Sequence, residues 1–229
     1  MIAYIPARGG SKRIPRKNVR LLGGKPVIVH VIDTLRSLSF IEKVCVSTDD
    51  EEIASIVRNA GAETLELRSP ALSNDTASFL DLIREDVPRF LKLARDQDQF
   101  LFVLATSALI PASTYEQALA VFSESKADAA LSVHEMDPNP SLAMTRDASG
   151  IINAVFPAQL AMRTQDMPKY FMDAGCFYMI RHSALIKHNR FFDAVCAGVE
   201  VPSGIAIDVD QESDWRRLEE KFLSREAKQ

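Results

Sequence analysis

Five cations lie close together near the start of the chain. They are Arg8, Lys12, Arg13, Arg16 and Lys17, in the run Ala7-Arg-Gly-Gly-Ser-Lys-Arg-Ile-Pro-Arg-Lys-Asn18. Gly9 and Gly10 let the backbone approach a ligand closely and take φ > 0, so several N–H groups of such a turn can aim at one anion. Ser11 adds a hydroxyl. Cations this dense repel one another unless an anion sits among them, and a polyphosphate is the natural guest. A basic run is ordinarily a solvated surface, but this one follows a short apolar stretch suited to a buried strand, and a glycine loop after a strand favours phosphate. Near the other end stands Asp208-Val-Asp210. Alternate residues of a strand project to one side, and two hard oxygen ligands suit Mg²⁺, which keeps waters and bridges substrate phosphates. A strand end followed by a helix cap at Asp210 is the competing reading.

Neither of two common phosphate fingerprints is present. Gly24-Lys25 is followed by Pro26, which breaks a Walker A loop, and no Gly-x-Gly-x-x-Gly occurs, so a P-loop NTPase and a nicotinamide dehydrogenase are disfavoured. The 229 residues carry a net charge of −4, with 47% hydrophobic and 25% charged residues. That balance supports a sizeable core and gives no dominant basic face for nucleic acid. Cys45, Cys176 and Cys196 are too few and too far apart for a disulfide framework or metal spacing, so reduced thiols in the cytoplasm are expected. No signal peptide and no apolar run long enough to span a membrane is visible.

The elements that must position these residues read as alternating strands and helices. Residues 1–6 and 43–47 are strands, and a helix starts after Pro26. Asp49 and Asp50 cap a helix that runs through Asn59 and ends at Gly61. Residues 63–67 are a short strand, leading through the polar loop 68–78, with a cap at Thr76, into a helix of about 15 residues from Ala77. Residues 100–104 form an unbroken apolar run, as in a central parallel strand. Ser113-Thr-Tyr-Glu116 is a capping box, and 129–133, 176–180 and 206–210 are further strands before a closing helix. Residues 137–170 hold four prolines and lose helical periodicity. They read as an extended insertion with a hairpin, whose Phe156, Leu160 and Met162 suit a subunit interface or a satellite core. The class is α/β and Rossmann-like: one domain over 1–229, with a mostly parallel sheet, helices on both faces and a small extended insertion suited to a subunit interface. The loops after strands converge at one edge of such a sheet, where ligands bind.

The opening signature Ile5-Pro-Ala-Arg-Gly-Gly-Ser-Lys-Arg-Ile-Pro-Arg-Lys-Asn18 resembles that of the acylneuraminate cytidylyltransferases, the CMP-sialic acid synthetases and their relatives. The similarity extends over nearly the whole chain. Arg13, where many members carry Gly, resembles the branch acting on pseudaminic-acid-like sugars. The resemblance implies a triphosphate site made of Arg8, Gly10, Ser11, Lys12 and Asn18, with Lys17 and Arg8 catalytic at the transition state. It implies that Arg68 and Ser78 read the cytidine, that Thr106 contacts the nucleotide, and that Asp208 and Asp210 hold Mg²⁺. The latter pair falls in an ending, through Asp214-Trp215, that resembles the family's Asp-x-Asp-x-x-x-Asp-Trp. Arg163-Thr-Gln165 and Asp173-Ala-Gly resemble the sugar-site segments, so Arg163, Gln165 and Asp173 are the expected sugar contacts, with Arg163 on the carboxylate. Leu104, Ala105 and Ala108 replace Gln, Pro and Pro of the sialic acid enzymes, and Ala174 replaces Asn, which points away from plain N-acetylneuraminate.

The expected activity is therefore transfer of CMP from CTP to the 2-hydroxyl of a nine-carbon α-keto acid sugar, releasing pyrophosphate. Pseudaminic, legionaminic and N-acetylneuraminic acids are the acceptors in view. Mg²⁺ is the expected cofactor, and the resemblance implies a homodimer. An eight-carbon (Kdo-type) acceptor and a nucleotide-binding protein without catalysis are the alternatives.

Overall fold

The computed structural model describes residues 1–95 and 98–227. Six strands form the main sheet: β1 (Ile2–Pro6), β2 (Lys43–Ser47), β3 (Gln99–Val103), β4 (Ala129–Glu135), β7 (Phe171–Arg181) and β8 (Cys196–Glu200), in the order β8-β4-β7-β3-β1-β2. The pairs β1–β2, β1–β3 and β8–β4 are parallel, and β7 runs antiparallel to both β3 and β4. A separate hairpin, β5 (Met144–Arg146) with β6 (Ile152–Ala154), lies within 137–170. The mostly parallel α/β architecture is thus present, and helices cover both faces.

The strands are apolar throughout because both faces are buried. On β1, Ala3 and Ile5 face the cluster completed by helices α1 (Val27–Arg36), α2 (Glu51–Asn59), α4 (Ala112–Glu124) and α5 (Glu212–Glu226), while Ile2 and Tyr4 face the cluster built on Ile83, Val87 and Phe90. The latter three belong to α3, a helical run over 79–91. Its turns widen to a π-helix at Leu82–Asp86, just before Pro88, which has no N–H to donate and whose ring would crowd the preceding turn.

Several local expectations are corrected. Only Glu63 bridges β2, through Cys45, so no strand spans 63–67. α4 starts after Pro111 with no side-chain cap, so Ser113 opens no capping box. The caps at the second acidic pair and in the 68–78 loop are single and shifted: Asp50 alone caps α2, and Ser78, not Thr76, caps α3. Residues 206–210 are extended but pair with no strand. The edge strand β8 carries no alternation that marks it in the sequence. In the insertion, Met162 is exposed, whereas Phe156 and Leu160 are half-buried; Met144, Ile151, Ile152 and Val155 form the exposed apolar surface instead. Among the described residues no helix is long and apolar enough to cross a membrane.

Candidate functional site

A cavity of about 300 Å³ opens beyond the carboxyl ends of β1 and β3. Its walls include Arg8, Ser11, Lys12, Lys17 and Asn18 from the opening loop, Arg68, and Thr106 and Asp210. Eight of the fourteen expected site residues thus meet in one place. Gly10, Ser78, Arg163, Gln165, Asp173 and Asp208 do not line it.

The opening loop is held from several sides. Ala7 N–H donates to the Ser47 carbonyl at 2.8 Å, Ile14 is buried in the core, and the Asn18 amide donates to the Arg8 carbonyl at 3.0 Å, closing the loop on itself. Gly9 is required by space rather than by φ: a Cβ there would meet Asp50 Oδ2 at 2.5 Å. The expected ring of N–H groups around an anion is not built from these residues, because Gly9 N–H donates to Asp49 at 2.8 Å and Ser11 N–H to the Gly9 carbonyl at 3.0 Å. The residue with positive φ in this loop is Arg16. Arg16 turns away to pair with Asp50 and Glu52.

The crowded cations are balanced by the protein's own carboxylates. Arg8 and Lys12 both pair with Asp75, and Arg13 with Asp210 at 2.9 Å. Lys17 donates to the Val209 carbonyl and lies 3.9 Å from Asp210. Burial pushes the Lys17 ammonium below its ordinary pKa, against the opposing pull of Asp210 and Asp208. Lys17 and Asp210 therefore share one crevice, whereas Asp208 lies outside its lining.

Arg68 is 4% exposed. Its Nε donates to Ser73 Oγ at 3.2 Å, but its Nη1 is buried with no partner among the described residues. A buried guanidinium nitrogen at a cavity wall needs an acceptor, and a ligand can supply one. Ser78 serves the helix: its hydroxyl accepts from Asp81 N–H and donates to the Asp81 carboxylate, so it caps α3 outside the cavity lining. Ser107 likewise donates to the Cys176 carbonyl, leaving Thr106 to face the cavity.

The carboxylate pair is positioned by the motif that follows it. Asp214 accepts from the backbone of Asp210 and Gln211 in a capping box, so Gln211 rather than Asp210 is the cap of α5. Trp215 is fully buried, with the Arg20 guanidinium 4.6 Å over its ring and Arg20 bidentate to Glu212. Burial of Ile207 and Val209 leaves Asp208 and Asp210 on the opposite side, which preserves the expected alternation without a paired strand. The Asp208 carboxyl is pushed above the usual carboxylate range, first by the protein crowded around it and then by Asp210.

The Asp-Ala-Gly segment proves to be a bulge. The β4–β7 register slips between Leu131 and Val133, and Ser132 Oγ accepts from the N–H groups of Cys176 and Phe177. Gly175 takes φ 61°, and a Cβ there would lie 3.4 Å from Asp208 Cγ. The bulge thus brings the Gly175 backbone against the Asp208 side chain. Asp173 accepts from Gly175 N–H at 2.8 Å and from Tyr178 OH at 2.6 Å. Tyr178 and Asp75 were not singled out by sequence reasoning. Tyr178 could have been found from its place in the quoted Asp173–Tyr178 motif, and Asp75 as the acid in the 68–78 loop nearest the cations' demand for anions. Arg163 and Gln165 lie on an exposed turn of the insertion, away from the cavity. Burial raises the Cys176 thiol to about 12, so it is no nucleophile.

A family model described as Cytidylyltransferase matches residues 2–200. The chain is 29% identical to an N-acylneuraminate cytidylyltransferase of Streptococcus agalactiae over 93% of its own length and 51% of the relative's, so it spans about half of that protein. It is 30% identical to the CMP-N,N'-diacetyllegionaminic acid synthase of Legionella pneumophila, covering 97% of this chain and 96% of the relative. It is 27% identical to the pseudaminic acid cytidylyltransferase of Campylobacter jejuni, covering 93% and 92%. Among solved structures, a CMP:2-keto-3-deoxy-manno-octonic acid synthetase complexed with CTP superposes with a TM-score of 0.70 at 19% identity, over 98% of each chain, a likeness of fold.

Proposed function

Since the chain belongs to the cytidylyltransferase family, we propose that it couples CTP to the 2-hydroxyl of a nine-carbon α-keto acid sugar. The observation that carries this reading is that Arg8, Lys12, Lys17, Arg68 with its unpartnered nitrogen, and Asp210 line one cavity. Both substrates are anions, and a wall of fixed cations lets them approach each other. Arg8, Ser11 and Lys12 bind the triphosphate, and Arg68 and Thr106 line the nucleotide's side of the cavity. The sugar's 2-hydroxyl oxygen bonds to the α-phosphorus and gives up its proton to water as the bond from that phosphorus to the pyrophosphate oxygen breaks and pyrophosphate leaves. Lys17, half-desolvated and pointing into the crevice, neutralises charge as it builds on the phosphates.

Asp208 and Asp210 would hold Mg²⁺. A carboxylate whose ionisation is made costlier by burial and by the charge of Asp210 beside it is one that a hard dication relieves. Among the described residues no three His, Cys, Asp or Glu side chains gather into a metal cage, so phosphate oxygens and water would complete the coordination. Bound there, the ion would supply charge neutralisation on the phosphates. Asp173 and Tyr178, beside Asp208, face the acceptor.

The acceptor is pseudaminic, legionaminic or N-acetylneuraminic acid; identities of 30% and 27% to the legionaminate and pseudaminate relatives leave these on an equal footing. We place the reaction in the cytoplasm and assign the exposed apolar face of the hairpin to a homodimer contact, which would bring the partner's insertion, with its Arg163 and Gln165, toward a sugar site. The test is pyrophosphate release with CTP, Mg²⁺ and each acid sugar in turn. Release with at least one nine-carbon acid is expected; release only with an eight-carbon acid, or with none, overturns the reading.

A further inference from the structure

Asp75 has a place in the site that the nucleotide reading leaves unused. It lies on the 68–78 segment, across the cavity from the opening loop, and its two oxygens are divided between two cations. Oδ1 accepts from Arg8 Nη1 at 3.0 Å, and Oδ2 pairs with the Lys12 ammonium. All three residues line the cavity. One carboxylate bridging an arginine and a lysine occupies them as a phosphate group would.

The segment does not need this carboxylate for its own shape. Asn74 Oδ1 accepts from Thr76 N–H, Thr76 Oγ1 and Ala77 N–H at 2.7–2.9 Å, and Ser78 with Asp81 closes the following helix end. Asp75 is left between two self-sufficient turns with its side chain directed at the cations. That side chain is 50% exposed, and Lys12 is 79% exposed, so the pair is a weak one that a multiply charged ligand can displace.

We propose that Asp75 is an internal competitor for the phosphate seat, which sets triphosphate affinity and recaptures Arg8 and Lys12 when the phosphates leave. The inference rests on the nucleotide reading above. A triphosphate that uses Arg8 and Lys12 must exchange places with Asp75, and that exchange uncouples the 68–78 segment from the opening loop. The reverse exchange hastens release of an anionic product.

The experiment is calorimetric titration of the full chain with inorganic tripolyphosphate and with CTP, in EDTA at low salt, for the wild type, Asp75→Asn, Asp75→Ala and Asp75→Glu. Both neutral variants should bind tripolyphosphate and CTP about threefold to tenfold more tightly, and Asp75→Glu, which restores the charge, should return to the wild-type affinity. Thermal melts check that the four proteins are equally folded. Unchanged or weaker binding by both neutral variants overturns the inference while the nucleotide reading stands, provided that the wild type binds CTP. Tightening by Asp75→Glu as well would also overturn it, since the effect would then not follow charge. Absence of binding to either probe in all four proteins removes the nucleotide reading and this inference together.

Discussion

The cavity end of the molecule and the 137–170 insertion differ in how far a single chain completes them. At the cavity, the cations have carboxylate or carbonyl partners, the loop is closed by Asn18, and Arg68 and Thr106 are buried. In the insertion, Met144, Ile151, Ile152 and Val155 are exposed, and so are Arg163 and Gln165. The difference teaches that the cationic cavity is closed by contacts within one chain, whereas the insertion leaves its apolar side chains in solvent.

The sharpest test of this contrast is Lys17→Ala, which should lower kcat/KM for pyrophosphate release by about a hundredfold to a thousandfold, with the melting temperature preserved. Retention of activity would deny the cavity its chemistry. Asp208→Asn should reduce turnover about a hundredfold and flatten the dependence on Mg²⁺ concentration. On the other side of the comparison, Arg163→Ala should raise KM for the sugar about tenfold while calorimetric CTP affinity stays at the wild-type value. A matching loss of CTP affinity would place Arg163 with the nucleotide and break the division. Ile152→Asp should convert a dimer to a monomer in sedimentation velocity, leaving CTP binding intact; a wild type already monomeric at micromolar concentration would remove the interface.

The smallest effect concerns stability. Asp50 caps α2 and pairs with Arg16, so Asp50→Ala should cost about 1–2 kcal/mol in urea unfolding at pH 7. The Arg16 hydrogen bond is the first cause that holds the Asp50 carboxyl below its usual range. Its folded pKa being depressed, the stabilisation is present above the ordinary value of 3.8 and is lost as the pH falls through the lower folded value. The gap between wild type and variant should therefore narrow below about pH 4. A gap that is constant from pH 7 to pH 2 would assign Asp50 no ionic role.

Legibility followed the range of the interactions. The strand–helix alternation, the cationic loop and the Asp208/Asp210 alternation are local patterns and were readable. Strand 196–200 was not, because its pairing with 129–135 is decided by a neighbour far along the chain. The cap at Ser78 rather than Thr76 was hidden for a related reason: several hydroxyls of the 68–78 loop could serve a helix end, and only the position of α3 decides among them. Gly9 was rightly singled out, but for φ, whereas the demand comes from Asp50 packed against it.

By itself, the order of residues determined the sheet's class, the family, and which side chains could handle phosphate, since these follow from composition, periodicity and a long contiguous motif. Tertiary structure alone decided which charges meet. Asp75 against Arg8 and Lys12, Arg13 against Asp210, and the bulge that sets Gly175 against Asp208 all join segments distant in sequence. Such pairings depend on register and loop closure, which a linear pattern does not encode.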